Sequence, residues 1–294
     1  MPPMKILATT DGSARSQSVI PHAARFASAV DGELLLLRVL SPELDCGNVQ
    51  APTRQEAVPI VAERWSRELA GILAEAKAIG GGLVEVRRPG EDIYQSILRV
   101  VADRGVDIMA MSSRGSGLVR HVVLGSVALR VLGKTPVPIL VAGERVADPI
   151  RAQKYHIIVT TDGSDDATCA LDAVAPLSGH TSVEVTLLRI HVPHLGDRGD
   201  AVEAAAAAAS LEELREGFAN PENVRTMVRT IGPLGGVDTA ILSVAAEVGA
   251  SAIAISTHGH SAKYHVFMGS TALGVLRQST LPLLLVRSAP AATS

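Results

Sequence analysis

The sequence predicts an α/β fold made of two tandem domains, each a doubly wound parallel sheet. Short aliphatic runs alternate with longer amphipathic segments throughout the 294 residues, as expected for parallel strands joined by crossover helices. The same succession occurs twice, because an Asp-Gly-Ser turn at 11–13 returns at 162–164 and a Gly-Ser pair at 125–126 returns at 269–270. A chain of this length is also of the size expected for two domains.

The first domain is expected to span 1–146, followed by a polar linker at 147–153. The apolar run within 33–40 is typical of a parallel strand that helices cover on both faces. Glycines at 80–82 end a long helix, and Pro138 places the last strand at an edge, since proline cannot donate to a ladder. The predicted elements are strand 5–9, helix 14–30, strand 33–40, helix 55–79, strand 83–87, a helix opened by 89–92 and ending at 102, strand 107–111, helix 127–132 and strand 137–142.

The second domain, at 154–294, repeats this order. The two Asp-Gly-Ser turns are 151 positions apart and the two Gly-Ser pairs 144, so the second copy is shorter by a net seven residues between them. The alanine run at 204–209 fits a helix, because alanine has the highest helix propensity. The predicted elements are strand 155–160, helix 165–177, strand 182–191, helix 201–218, strand 224–231, helix 237–247, strand 252–255, helix 271–276 and strand 281–286.

Composition excludes several classes of function. A net charge of −3 provides no basic surface for nucleic acid, and an aromatic content of 2% leaves few rings on which single-stranded bases could stack. Cys46 and Cys169 are too few for a disulfide framework or a thiolate metal site. Since we find neither a signal peptide nor an apolar run long enough to span a membrane, we expect a cytoplasmic protein.

The most informative stretch follows the fourth strand of each domain. Ser112 to Gly115 is separated by nine residues from the Gly-Ser pair at 125–126, and Ser256 to Gly259 is separated by nine from the second pair. Each pair precedes a helix, whose first amide groups lack intrahelical partners and attract anions such as phosphate. One such pair alone is commonly a plain cap, whereas two copies at identical spacing show that the unit was duplicated and suggest an anion site in each half.

An aspartate follows the first strand of each domain, Asp11 in one and Asp162 in the other. Parallel sheets bind ligands beyond the carboxyl ends of their strands, where the strand order reverses. If the first and fourth strands are neighbours, Asp11 and the loop that begins at Ser112 face one crevice. The alternative is that each aspartate only makes an Asx turn or caps a helix.

These motifs resemble the universal stress proteins, whose nucleotide loop reads Gly-x2-Gly-x9-Gly-[Ser/Thr]. Both loops match the second glycine, the nine-residue spacer and the final Gly-Ser, and both carry a serine, Ser112 or Ser256, at the first glycine. The resemblance covers almost the whole chain. It implies strand order 3-2-1-4-5 in each domain and a bound ATP, ADP or AMP, with Mg²⁺ as an accompanying ion.

The resemblance also implies which residues bind the nucleotide. The aspartate is expected to hold the adenine and ribose end, helped by the backbone at Val39 and Ile190 after the second strand. The candidate binding residues are Thr9, Asp11, Val39, Met111, Ser112, Arg114, Gly115, Gly125, Ser126 and Val127 in the first domain and Thr160, Asp162, Ile190, Ile255, Ser256, Gly259, Gly269, Ser270 and Thr271 in the second.

Two other motifs do not predict a site. His258, His260 and His265 have no carboxylate or cysteine close in sequence and no counterpart in the first domain, so we expect no metal. Gly133-Lys134-Thr135 lacks the first glycine of a P-loop and is followed by proline, which indicates a helix C-cap. We also find no nucleophile and base arrangement, so catalysis beyond slow ATP hydrolysis is not expected.

The function implied by the resemblance is a stress-response protein that binds an adenine nucleotide and signals by its bound state. The alternatives are a nucleotide-free interaction scaffold and a slow ATPase. The stress signal and the downstream partner leave no trace in the sequence. We expect the two domains to pair with each other, or the chain to form a homodimer, because pairing would hide the aliphatic edge runs at 137–141 and 281–286.

This expectation makes a testable prediction for the first domain alone. Residues 1–146 expressed without the second domain should self-associate, because the fifth strand loses the partner that covers its aliphatic edge. Light scattering measures the mass in solution, with the full chain as the control. A well-behaved monomer of 1–146 would contradict the pairing.

Overall fold

The computed structural model describes residues 2–114, 124–149, 152–193, 200–257 and 268–287, and the chain divides into two compact units. The first unit comprises residues 1–142 and the second residues 143–294. Each unit is a five-stranded parallel sheet with helices in the connections between strands. The predicted α/β fold with two tandem domains is therefore confirmed.

The first unit contains five strands and six helices in its described residues. They are β1 (Lys5–Thr9), α1 (Ala14–Gln17), α2 (Ile20–Ala29), β2 (Glu33–Leu40), α3 (Pro42–Asp45), α4 (Arg54–Glu75), β3 (Gly80–Val86), α5 (Ile93–Arg104), β4 (Ile108–Ser112), α6 (Ser126–Leu132) and β5 (Ile139–Ala142).

The second unit repeats the five strands. Its elements are β6 (Tyr155–Thr160), α7 (Asp165–Val174), a 3₁₀ turn (Ala175–Gly179), β7 (Val183–His191), α8 (Asp200–Arg215), a 3₁₀ turn (Pro221–Asn223), β8 (Val224–Thr230), α9 (Val237–Glu247), β9 (Ala252–Ser256), α10 (Ser270–Gln278) and β10 (Leu283–Val286). In the part of the chain that the structure describes, no helix combines the length and the apolar character needed to cross a membrane.

The strand order is the same in both units and places the first strand in the middle. It is β3-β2-β1-β4-β5 in the first unit and β8-β7-β6-β9-β10 in the second. Leu7 of β1 lies opposite Leu35 of β2 on one side and Met109 of β4 on the other. The strand order reverses between β1 and β4, so a crevice is expected there.

Prolines mark the start of the last strand in each unit. Pro138 and Pro282 lie just before β5 and β10, which begin two residues later than predicted. Each proline contributes only its carbonyl, which accepts a hydrogen bond from Met109 N (2.9 Å) or Ile253 N (3.2 Å). The missing amide hydrogen therefore removes no ladder bond at these positions.

The predicted single helix over 14–30 is wrong, because the structure has α1 and α2 in its place. Pro21 occupies the first turn of α2, where a missing amide hydrogen leaves no intrahelical bond unmade. In a continuous helix, the same proline would clash with the preceding turn. The helix therefore stops after Gln17 and restarts at Ile20.

The three glycines at 80–82 belong to β3 and do not simply end the preceding helix, which stops at Glu75. A Cβ atom on Gly80 would lie 1.8 Å from the carbonyl oxygen of Leu34, and one on Gly82 would lie 2.8 Å from Cβ of Leu69. The backbone of β3 thus approaches both β2 and α4 too closely for larger residues. The need for glycine at these two positions is tertiary, which the local sequence does not reveal.

Replacing Gly80 by alanine should destabilise the protein by about 1–3 kcal/mol, the usual cost of overpacking. The matched control is Gly81→Ala, because a Cβ atom there has open space within 4 Å. We expect the control to be neutral or up to about 1 kcal/mol more stable, since alanine restricts the unfolded chain. Urea unfolding measures both free energies, and equal values for the two variants would contradict the close approach of β3 to Leu34.

Candidate functional site

A turn built by its own side chains follows β1. The carboxylate oxygen Oδ1 of Asp11 accepts hydrogen bonds from the Ser13 amide (2.9 Å) and the Ser13 hydroxyl (2.6 Å). The Gly12 amide donates to Thr10 Oγ1 (3.0 Å), and the φ angle of 87° at Gly12 favours glycine. Ser13, not Asp11, is the N-cap of α1, since its hydroxyl accepts from the Ser16 amide.

The second unit builds the same turn after β6. Oδ1 of Asp162 accepts from the Ser164 amide (3.0 Å) and hydroxyl (2.6 Å), and the Gly163 amide donates to Thr161 Oγ1 (3.1 Å). These distances agree with those of the first turn to within 0.1 Å. Both aspartates therefore make the Asx turn that was considered as the alternative to a binding role. The turn holds each carboxylate just beyond the end of the central strand of its sheet.

Backbone hydrogen bonds hold the loop after β4 at both of its described ends, one to β5 and one to the start of the loop itself. The Ser113 amide donates to the Ala142 carbonyl (2.8 Å), and the Gly125 amide donates to the Ser113 carbonyl (2.7 Å). The Ser112 hydroxyl donates to the Arg114 carbonyl. Gly125 is the N-cap residue of α6 and has no side chain, so no side-chain cap bonds the first amide groups of that helix.

These elements surround one cavity of about 670 Å³ at the carboxyl ends of β1, β2 and β4. The nine predicted site residues of the first unit that the structure describes all line it. They are Thr9, Asp11, Val39, Met111, Ser112, Arg114, Gly125, Ser126 and Val127. Gly115 lies outside the described residues.

One apolar wall of the cavity was not predicted from the sequence. Ile93 and Ile97 of α5 face the cavity one helical turn apart, and Leu37 of β2 faces it beside Val39. The signal was present, because Ile93 and Ile97 are spaced i, i+4 and Leu37 and Val39 alternate along a strand. Periodicity identifies such a face but does not say what it covers.

The second unit places the corresponding candidates at the same positions of its sheet. Gly269 precedes α10 as Gly125 precedes α6, and its amide donates to the Thr257 carbonyl (2.7 Å). The other described candidates lie at or just beyond the ends of β6, β7 and β9 or at the start of α10, and they are Thr160, Asp162, Ile190, Ile255, Ser256, Ser270 and Thr271. Gly259 and the three histidines His258, His260 and His265 lie outside the described residues.

The two units differ in charge beside the Asp-Gly-Ser turn. Asp165 and Asp166 occupy the first turn of α7, whereas α1 has no acidic residue there and begins with Ala14 and Arg15. The helix after the Asp162 turn therefore begins with two carboxylates, whereas the helix after the Asp11 turn begins with an arginine and no carboxylate. Charges of this sign oppose an anion placed close to them.

An arginine on the second strand packs against the glycine of each turn. A Cβ atom on Gly12 would lie 2.6–2.8 Å from the guanidinium of Arg38, and one on Gly163 would lie 2.8–3.1 Å from that of Arg189. Burial lowers the pKa of Arg38, which the nearby carboxylates of Glu68, Asp45 and Asp11 partly offset. This pair of arginines was not predicted from the sequence, although Arg38 and Arg189 are 151 positions apart, like the two turns.

A hydrogen-bonded ion cluster fixes the start of α5 and thus the apolar wall. Glu91 accepts from the Arg99 guanidinium (3.0 and 3.2 Å), the Ser96 hydroxyl (2.8 Å) and the Arg88 amide (3.1 Å). Arg99 also donates to Glu85 (2.6 Å). The bond from Arg99, followed by those from Arg88 and Ser96, lowers the pKa of Glu91 to about 2 despite partial desolvation.

Comparison with known proteins connects this geometry to one family. The model of the Universal stress protein family matches residues 3–143 and again 155–287. A universal stress protein of Mycolicibacterium smegmatis is 22% identical in an alignment of 294 positions that covers 96% of each chain. The crystal structure of a universal stress protein from Archaeoglobus fulgidus has a TM-score of 0.65 at 23% identity and likewise covers 96% of each chain.

A further solved neighbour is a universal stress protein in complex with cAMP. It is 18% identical, has a TM-score of 0.38, and the match covers 47% of this chain and 100% of that one. The match thus extends over about half of the present chain.

The ion cluster makes a prediction about pH. Since the folded-state pKa of Glu91 is depressed, its stabilisation is present above the unfolded pKa of about 4.3 and is lost as the pH falls toward 2. Glu91→Gln should cost about 1.5–3 kcal/mol at pH 7, the usual contribution of hydrogen bonds to charged groups. The difference from wild type should shrink as the pH falls from 5 to 2.

Urea unfolding at several pH values measures this difference. The matched control is Glu63→Gln, because Glu63 makes an exposed helix pair with Arg67 at 3.6 Å and such pairs contribute roughly 0.5 kcal/mol or less. A cost of Glu91→Gln that is independent of pH would contradict the assignment.

Proposed function

Given that the chain belongs to the universal stress protein family, we propose that its first unit binds ATP or a related adenine nucleotide in the cavity beside Asp11 and signals through the bound state. The observation that carries the proposal is the convergence of Asp11, the Ser112 loop and the start of α6 on one cavity. The cavity volume is in the range typical of small-molecule sites.

The apolar side of the cavity suits a purine base. Leu37, Val39, Ile93, Ile97 and Met111 provide aliphatic surface against which a flat, weakly polar ring can pack. The Asp11 carboxylate lies at the same end of the sheet and can accept hydrogen bonds from an amino group or from ribose hydroxyls. This combination supports an adenosine group at the end of β1 and β2.

The other side of the cavity suits an anion. Gly125 and Ser126 begin α6, where amide groups point out of the helix, and the Arg114 side chain lines the same space. Arginine can donate two hydrogen bonds to one phosphate and stays charged at neutral pH. Phosphates placed here would connect to the adenosine group through the middle of the cavity, with Mg²⁺ accompanying ATP.

The charges beside the two turns support tighter binding of an anion in the first unit than in the second. Asp165 and Asp166 add negative charge beside the Asp162 turn, whereas Arg15 stands at the corresponding part of α1. Repulsion from two carboxylates opposes a polyphosphate in the second unit. We further propose that the protein is cytoplasmic. Its two domains pair with each other, or two copies of the chain form a homodimer.

The proposal predicts unequal effects of equivalent substitutions. Asp11→Asn keeps a carbonyl oxygen for the Ser13 amide but removes the charge, and should weaken the tighter ATP-binding phase about tenfold or more. A charge-assisted hydrogen bond contributes about 1.5–3 kcal/mol, and 1.4 kcal/mol corresponds to tenfold. Asp162→Asn is the matched control and should leave this phase unchanged.

Calorimetric titration of the full chain with ATP, ADP and AMP measures these affinities. Absence of heat with all three at millimolar ligand would overturn the proposal in favour of a nucleotide-free scaffold. A tighter phase that disappears in Asp162→Asn, or equal weakening in both variants, would overturn the inequality of the two sites.

A further inference from the structure

Arg38 reaches the Asp11 turn from the side opposite to the cavity. Along β2, Leu37 and Val39 line the cavity, so Arg38 between them points to the other face of the sheet. There it lines a second cavity of about 300 Å³ together with Gly12 and residues of α4. The turn therefore places Asp11 in the larger cavity and Gly12 against Arg38 in the smaller one.

On that face, the Arg38 guanidinium is held by α4. Its Cζ atom lies 3.6 Å from the centroid of the Trp65 ring, and Nη1 donates to Glu68 (2.9 Å). The Arg38 side chain is 17% exposed. A cation stacked on tryptophan and paired with a carboxylate is held in one orientation, which a flexible surface arginine is not.

The guanidinium packs closely against Gly12, since a Cβ atom added at that position would lie only 2.6–2.8 Å from Cζ and both Nη atoms of Arg38. Gly12 is thus required both for its positive φ and for this contact. Arg38 is half-buried, and although Nη1 pairs with Glu68, Nε has no hydrogen-bond partner in the part of the chain that the structure describes. Desolvating an N–H group without a partner is costly, so the placement of this side chain calls for a role.

The second unit has one of these two contacts of the arginine, the contact with the glycine of the turn, without the other, the stack on tryptophan. Arg189 packs on Gly163 as Arg38 packs on Gly12, so the contact with the turn is duplicated. The stack on tryptophan is not, because Trp65 is the only tryptophan in the sequence. The arginine accordingly belongs with the turn, and its connection to an aromatic helix face is a feature of the first unit.

We propose that Arg38 is a positioning residue of the first site. It holds the Asp11 turn in place for the ligand, and it transmits a change at the turn on ligand binding to Trp65 of α4. This role rests on the proposed nucleotide binding, and it predicts that the environment of Trp65 reports whether the site is occupied. A ligand group bound to Asp11 fixes the turn between itself and the guanidinium. Because the guanidinium packs between Gly12 and Trp65, a ligand that shifts the turn also shifts Arg38 against the indole ring and changes the environment of that ring.

The single tryptophan makes the proposal directly measurable in the full chain. ATP added to the wild type should change Trp65 emission with the same midpoint as the calorimetric titration. Arg38→Met should weaken ATP binding about tenfold, a typical coupling between two sites, and abolish the emission change. Arg38→Lys should not restore either property, since an ammonium cannot stack on Trp65 and pack on Gly12 together.

Arg67→Met is the matched control. Arg67 lines the same small cavity but is 76% exposed and pairs with Glu63, so its loss removes a charge without touching the turn. This variant should bind ATP and change emission as the wild type does. Should Arg38→Met fail to fold, Arg38→Lys keeps the charge and provides the same comparison.

The outcomes separate this inference from the function on which it rests. ATP heat with unaltered Trp65 emission, or wild-type affinity in Arg38→Met and Arg38→Lys, would overturn the role of Arg38 and leave nucleotide binding intact. An equal loss in Arg67→Met would also overturn it, because charge alone would then account for the effect. Absence of heat with every nucleotide would overturn both proposals.

Discussion

The candidate site depends on one topological constraint, the position of β1 between β2 and β4. Parallel strands end at the same edge of a sheet, so this order brings the Asp11 turn beside the Ser112 loop. The hydrogen bond from the Gly125 amide to the Ser113 carbonyl then holds the start of α6 at the end of β4. With β1 at an edge, the carboxylate and the helix start would lie at least a strand apart and could not share one ligand.

Sequence patterns predicted most strands, the two Asp-Gly-Ser turns and the glycine loops, because these depend on alternation, glycine spacing and turn chemistry. Val39 and Met111 of the crevice were implied by the family resemblance, and its wall from α5 was not predicted. Contacts between distant segments were not predictable. Nothing in the glycine run at Gly80 reveals the carbonyl of Leu34, and an arginine within an aliphatic strand does not reveal that Gly12 and Trp65 enclose it. The division of the first helix followed from Pro21, a signal that was present and not used.

Duplication preserved the bonding within the turn and allowed its surroundings to diverge. The Asx turns at Asp11 and Asp162 match to within 0.1 Å, and each has an arginine behind its glycine. The charge at the next helix start differs, and only the first unit has a tryptophan on which its arginine can stack. The two units thus share one turn but differ in the charges described beside it, which fits the proposal of a stronger ligand site in the first unit.

The most direct test of nucleotide binding is to identify what the purified protein releases. The full chain is purified without added nucleotide, denatured by heat, and the supernatant is separated by chromatography and mass spectrometry, with Asp11→Asn as the control. An adenine nucleotide released from the wild type and strongly reduced in the variant is the predicted result. A wild-type protein that releases none, and that gives no heat when titrated with ATP, ADP or AMP, would contradict the account.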